Sequence, residues 1–259
     1  MIIQNKMNSY ALTFDIDWAP DFVIEAVADI LLTSSIKCTW FVTNRSPAIE
    51  KLFVHKELFE FGLHPNFLPG STQGNTEKDV MNYMKTILPD AHIVRTHALA
   101  QSSHLLRMML QEYNITTDVS LFLPETSHIV PHYMHFDYSS RRLLRIPYFW
   151  EDNDEMFNPA KSWDINNPKY HVHGLKIFNF HPMFVYLNSD TIDNYENLKS
   201  FGPLRMIEKK TFDQYVNRDE KGSGTFLQDF ITHIRENNIT LHKITELKTL
   251  FEQEIPSAT

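Results

Sequence analysis

Short apolar runs alternate with amphipathic stretches along most of the chain. The first run, Tyr10-Ala11-Leu12-Thr13-Phe14-Asp15-Ile16-Asp17, has the length and β-branched and aromatic content of a buried strand. A helix follows from Pro20, with Phe22, Val23, Ala26, Val27, Ile30 and Leu31 on one stripe. Further strands are predicted over Thr39–Thr43, up to Gly62-Leu63-His64, over Ile93-Val94-Arg95, Thr117–Leu121, Leu143–Phe149, Leu175–Phe180 and Ile239–His242. Helices are predicted from the Ser46-Pro47 cap, and over Thr76–Leu88, Ser103–Tyr113, Thr225–Asn237 and Thr245–Gln253. Pro65 to Asn75 reads as a loop, and Phe122–Arg142 and Glu151–His173 as excursions with weak periodicity.

Strand–helix alternation predicts parallel pairing with helices outside. Seven or eight strands point to an α/β fold, a closed or nearly closed (β/α) barrel of about seven strands, TIM-like but distorted. A single domain spanning 1–259 is expected, since such barrels commonly reach this size. No linker or internal repeat interrupts it.

Charged residues make up 22% of the chain and hydrophobic residues 42%, ordinary values for a soluble globular protein. The formal net charge of −8 argues against nucleic acid as a partner, because phosphate neutralisation needs a basic face. No stretch approaches the roughly 18 apolar residues of a membrane helix. The first residues lack a basic segment followed by an apolar core, so no secretory signal is read and a cytoplasmic location is the default. The lone cysteine, Cys38, lies in an apolar run and is expected to be a buried, inert thiol.

Polar residues collect at strand ends. Asp15 and Asp17 end the first strand, His64 the third, Arg95 and His97 follow the fourth, Asp118 lies in the next, and His181 ends Ile177-Phe178-Asn179-Phe180. In a parallel barrel the carboxyl ends of the strands share one mouth, where such folds place catalytic groups. Asp15 and Asp17, two apart on a strand, are expected to point the same way, and two crowded carboxylates call for a cation or a shared proton. His64 with Asp17 and His97 offers the carboxylate and imidazole ligands that zinc and similar divalent metals use. Asp15 is then free to take a proton from water, and His181 to act as the acid.

Thr13-Phe14-Asp15-Ile16-Asp17 resembles the TFDDG motif of the polysaccharide deacetylases, carbohydrate esterase family four. Gly62-Leu63-His64-Pro65-Asn66-Phe67, Arg95-Thr96-His97, Asp118-Val119-Ser120 and Asn179-Phe180-His181-Pro182 resemble the family's second to fifth motifs, in order, over roughly residues 10 to 185. The resemblance implies a polysaccharide deacetylase barrel that removes an N-acetyl group from a sugar or glycan precursor. It makes Asp15 the base, oriented by Arg95; Asp17 and His64 metal ligands; and His181 the acid. Asp118 is expected to orient His181. Tyr148 and Trp150 are expected to stack on a sugar ring, and Asp152, with Glu151, to hold hydroxyls. The chain departs from the family at Leu68, where a second metal-binding histidine is usual, and at Ile16 and Trp18. His97 is taken as the substitute ligand, with Asn66 or a water as the fallback. A hydrolase of small non-sugar amides, or an inactive carbohydrate-binding protein, are the rival readings.

Overall fold

The computed structural model describes residues 8–136 and 140–254. Ten strands form one sheet: β1 (Tyr10–Asp15), β2 (Cys38–Val42), β3 (Phe59–Leu63), β4 (Ile93–Val94), β5 (Thr117–Asp118), β6 (His132–His135), β7 (Arg142–Arg145), β8 (Trp150–Glu151), β9 (Lys176–Phe180) and β10 (Leu241–His242). Their order is β6-β7-β5-β4-β3-β2-β1-β9-β8, with β10 paired to the start of β1. The β6–β7 pair is antiparallel and the other pairs are parallel, and the sheet curls into a half-barrel.

The ten strands exceed the seven or eight expected for two reasons. Pro147 has no N–H to donate, so the expected strand Leu143–Phe149 divides: β7 pairs with β5, and β8 crosses to β9. The excursion Phe122–Arg142 supplies β6, whose half-exposed residues give no apolar alternation. The helices α1 (Asp21–Thr33), α2 (Pro47–Leu52), α3 (Glu77–Ile87) and α4 (Ser103–Tyr113) follow β1, β2, β3 and β4 in turn, and the other excursion folds into α5 (Asp152–Phe157) and a 3₁₀ turn at Pro168–His171.

The caps follow the sequence. Ser46 Oγ accepts from Ile49 N, with Pro47 in the first turn of α2. Thr76 and Asp79 form a capping box at α3. Later helices include α6 (Pro182–Leu187), α7 (Asp193–Lys199), α8 (Lys209–Phe212), α9 (Ser223–Glu236) and α10 (Ile244–Glu254). The central strands are buried on both faces, as parallel strands flanked by helices must be. Cys38 is among the buried residues. Among the described residues, no helix is long and apolar enough to cross a membrane.

One glycine shapes the barrel interior. A Cβ at Gly62 would stand 2.8 Å from the Phe41 ring, and that ring is one wall of the slot that holds Arg95.

Candidate active site

Because β1, β3, β4 and β9 run parallel, their carboxyl ends open on one side. Asp15 is the last residue of β1. Asp17 lies beyond the strand, so strand alternation does not orient it as expected. Asp17 and Trp18 adopt left-handed backbone angles, φ 40° and 56°, and this turn throws the Asp17 carboxylate into the mouth. A second turn, after β4, places Ala98 and Leu99 at φ 50° and 54° and presents His97. Paired left-handed residues other than glycine are strained, and strain of this kind concentrates at functional sites.

The two turns and the end of β3 bring three donors together. Asp17 Oδ1 lies 3.2 Å from His64 Nε2 and 3.1 Å from His97 Nδ1, and the two histidine nitrogens are 3.4 Å apart. His64 Nδ1 lies 2.7 Å from the Arg95 carbonyl oxygen, which only accepts, so Nδ1 carries the proton. In neutral His64 the lone pair of Nε2 then faces a carboxylate oxygen, an arrangement that repels unless a cation stands between them. The spacing fits one: a tetrahedral ion with arms of about 2.0–2.1 Å has ligand edges of about 3.3 Å. The donor set, one carboxylate and two imidazoles, suits a small divalent metal. Burial would raise the Asp17 carboxyl, but the His64 and His97 imidazoles beside it outweigh burial and hold the group well below its ordinary value. His97 is shifted upward, its burial outweighed by Asp17. Leu68 is 42% exposed and not among the clustered donors. Asn66 Oδ1 is occupied by the Leu68 N–H at 3.0 Å.

Asp15 is buried beside this triangle. Its Oδ1 accepts from Arg95 Nη1 at 3.1 Å and its Oδ2 from Asn179 Nδ2 at 2.9 Å. Burial pushes its pKa up, but the Arg95 guanidinium, helped by His64 and His181, brings it below the ordinary value. Arg95 lies between the Phe41 and Tyr148 rings, at 4.5 and 4.4 Å, and also donates to Thr13 Oγ1, Asn179 Oδ1 and the Val119 carbonyl.

His181 follows β9, with Nε2 3.6 Å from Asp17 Oδ2. Its Nδ1 donates to Asp152 Oδ1 at 2.7 Å, and its backbone N–H to Asp152 Oδ2 at 3.0 Å. Ser223 Oγ, at the start of α9, donates to the same carboxylate at 2.8 Å. Burial alone would lower His181; Asp152 reverses this, and the imidazole is pushed up to about 10. Two expectations are therefore corrected. Asp118 does not orient His181: it is fully buried, accepts from Arg145 Nε at 2.8 Å and from Ser120 Oγ at 2.6 Å. Asp152 is also fully buried and holds His181, so it offers nothing to a hydroxyl in the cleft.

Trp150 is corrected as well. Pro147 shifts the strand, and Trp150 is 3% exposed in a cluster with Phe178, Phe180, Trp163 and Phe226, its Nε1 bonded to Glu155. Tyr148 lines the cleft, but its ring stacks on Phe122 and its hydroxyl donates to Glu151. Burial pushes the Tyr148 phenol far up and raises Glu151. The cleft encloses about 460 Å³ over Asp15, Asp17, His64, His97 and His181. Its outer wall is α5, which contributes Asn153, Asp154 and Phe157, the last 64% exposed. Asn179, which holds Asp15 and accepts from Arg95, has no assigned role on sequence grounds; a lone amide in an apolar strand is the signal that marks it. Ser223 carries no local signal at all.

A family model described as WbmS-like polysaccharide deacetylase matches residues 12–199. The crystal structure of WbmS from Bordetella bronchiseptica, described as a polysaccharide deacetylase involved in O-antigen biosynthesis, is 28% identical, with TM-score 0.75, over 87% of this chain and 90% of that one. A peptidoglycan N-acetylglucosamine deacetylase, Bc1960, shares the fold at 12% identity and TM-score 0.50, over 93% of this chain and 88% of its own. No curated protein matches the chain.

Proposed function

The chain belongs to the WbmS-like polysaccharide deacetylase family, and on that premise we propose that it hydrolyses the acetamido group of an N-acetylated sugar in a glycan or glycan precursor. The reading rests on one observation: Asp17, His64 and His97 converge beside Asp15 and His181 at the floor of one cleft. Asp17, His64 and His97 hold a divalent cation, zinc by the character of the donor set. When bound, that cation supplies a Lewis acid that acidifies a water and polarises the acetyl carbonyl.

The chain's own groups do the proton work. Asp15 is kept ionised by Arg95 and aligned by Asn179, so it accepts the proton of the attacking water. His181 enters as the imidazolium, its Nδ1–H anchored on Asp152 and its Nε2–H facing the cleft. It gives that proton to the sugar nitrogen as the C–N bond breaks. Water and amide thereby become acetic acid and the free amine. Phe157, Asn153 and Asp154 form the wall available to the sugar, an apolar face beside hydroxyl acceptors.

The O-antigen role of the B. bronchiseptica relative supports a surface-glycan unit as the substrate class. The test combines metal analysis of the purified protein with acetate release from N-acetylated oligosaccharides. Stoichiometric zinc, lost in His64→Ala, and acetate release abolished in Asp15→Asn are the expected results. Protein that takes up no metal and frees no acetate from any N-acetylated sugar would end the proposal.

A further inference from the structure

We infer that Arg145 is a positioning residue for the metal centre, acting through Gln101 and the Asp118–Ser120 pair to hold the turn that carries His97; the inference rests on the metal-centre reading above.

His97, whose backbone N–H bonds to Pro65 O at 2.9 Å, is less firmly held by the sheet than His64. His64 directly follows β3 and its backbone N–H bonds to Val42 O, next in the ladder. His97 instead begins a three-residue turn whose other two residues, Ala98 and Leu99, are both left-handed. The turn's internal backbone bonds are Leu99 N to Thr96 O at 3.0 Å and a longer one from Ala100 N to His97 O at 3.3 Å. A ligand on such a turn keeps its place only if the surroundings over-determine it.

Both flanks of the turn are tied to one buried carboxylate. On the near side, Ser120 Oγ accepts from the Thr96 N–H at 2.9 Å and donates to Asp118 Oδ1 at 2.6 Å. On the far side, Gln101 Nε2 donates to Ser120 O at 3.0 Å and approaches Leu99 O at 3.4 Å. Arg145 closes the loop: Nε donates to Asp118 Oδ2 at 2.8 Å and Nη2 to Gln101 Oε1 at 2.5 Å. The planar guanidinium is what allows one side chain to serve both acceptors, a geometry an ammonium on a flexible stem lacks. On its outer face, the His97 ring meets the edge of Trp18, with centroids 5.2 Å apart. The arrangement reassigns the Asp118 motif residue from the acid to the metal ligand.

The experiment uses the full-length protein and three variants, Gln101→Ala, Arg145→Lys and His97→Ala. Zinc affinity is measured by competition with a chromophoric chelator, and coordination by the visible absorption of the cobalt(II)-substituted protein. Outer partners of metal ligands typically govern affinity by about 10–100-fold. Gln101→Ala and Arg145→Lys are both expected to weaken zinc by that factor and to alter the cobalt bands, with folding retained by circular dichroism. Arg145→Lys keeps the charge that neutralises Asp118, so wild-type zinc affinity and an unchanged cobalt spectrum in both it and Gln101→Ala would overturn the inference while leaving the metal centre intact. Wild-type protein with no more zinc affinity than His97→Ala would overturn the metal-centre reading, and this inference with it.

Discussion

Replacing Arg95 with Met removes a cation from the barrel interior while keeping an unbranched side chain in the slot between Phe41 and Tyr148. Asp15 loses its 3.1 Å partner, and Thr13 Oγ1, Asn179 Oδ1 and the Val119 carbonyl lose a donor. Asp15 is then left buried with one hydrogen bond, from Asn179. Removing one member of a buried ion pair costs about 3–5 kcal/mol. For a chain of this size that corresponds to a fall in Tm of about 6–20 °C. The pH dependence should also invert. In the wild type Asp15 sits below its ordinary pKa. Its contribution is therefore present above the unfolded value, about 3.9, and is lost as pH falls through the lower folded value. In the variant, burial dominates and raises the folded pKa above the unfolded one. Stability from this group then declines as pH rises from about 4 through the new value. Urea melts at several pH values, in chelator-treated protein, give both quantities. Adding Asp15→Asn to Arg95→Met removes the unpaired charge and should restore about 2 kcal/mol of the loss. Strictly additive single effects, with no change in the sign of the pH slope, would refute the reasoning.

Three further outcomes follow from the same geometry. Asp152→Asn should lower kcat by about 10²–10⁴-fold with KM little changed, because His181 loses the carboxylate that keeps it protonated and aligned; a comparable loss confined to KM would contradict this. Trp150→Ala should cost about 3–5 kcal/mol in stability as a core truncation, whereas Phe157→Ala should leave stability nearly unchanged and raise KM for oligosaccharides; steady-state kinetics beside thermal melts separate the two. Lys176 is buried, with Nζ on Asn8, Val172 O and Gly174 O, and burial pushes it down to about 8. Its folded pKa lies below the unfolded value, so relative to Lys176→Met the wild type should gain stability as pH rises from about 8 toward 10.5, by up to about 3 kcal/mol; a pH-independent gap in urea melts would exclude it.

Much was legible along the chain because the relevant physics is local. Apolar runs and helical stripes set the strand–helix alternation, and serine, threonine and proline caps fixed helix starts at Ser46 and Thr76. Polar residues at apolar strand ends singled out Asp15, His64 and His181, because a parallel barrel gathers those ends at one mouth. The excursions were opaque, since β6 and α5 have no clean period and take their shape from what they pack against.

The sequence by itself determined which residue types stand at the strand ends, and hence the chemistry the mouth can do. Tertiary structure decided which of them meet. Asp118 and Asp152 are both buried carboxylates near polar motifs, and nothing in their local sequence tells that one belongs to Arg145 and the other to His181. Pairing at that range depends on how far each strand runs before it turns. Here a proline breaks one strand, moving Trp150 into the core, and two left-handed turns carry Asp17 and His97 together. Periodicity can report the direction of a side chain within an element; where one element ends relative to its neighbours is set by packing across the whole barrel.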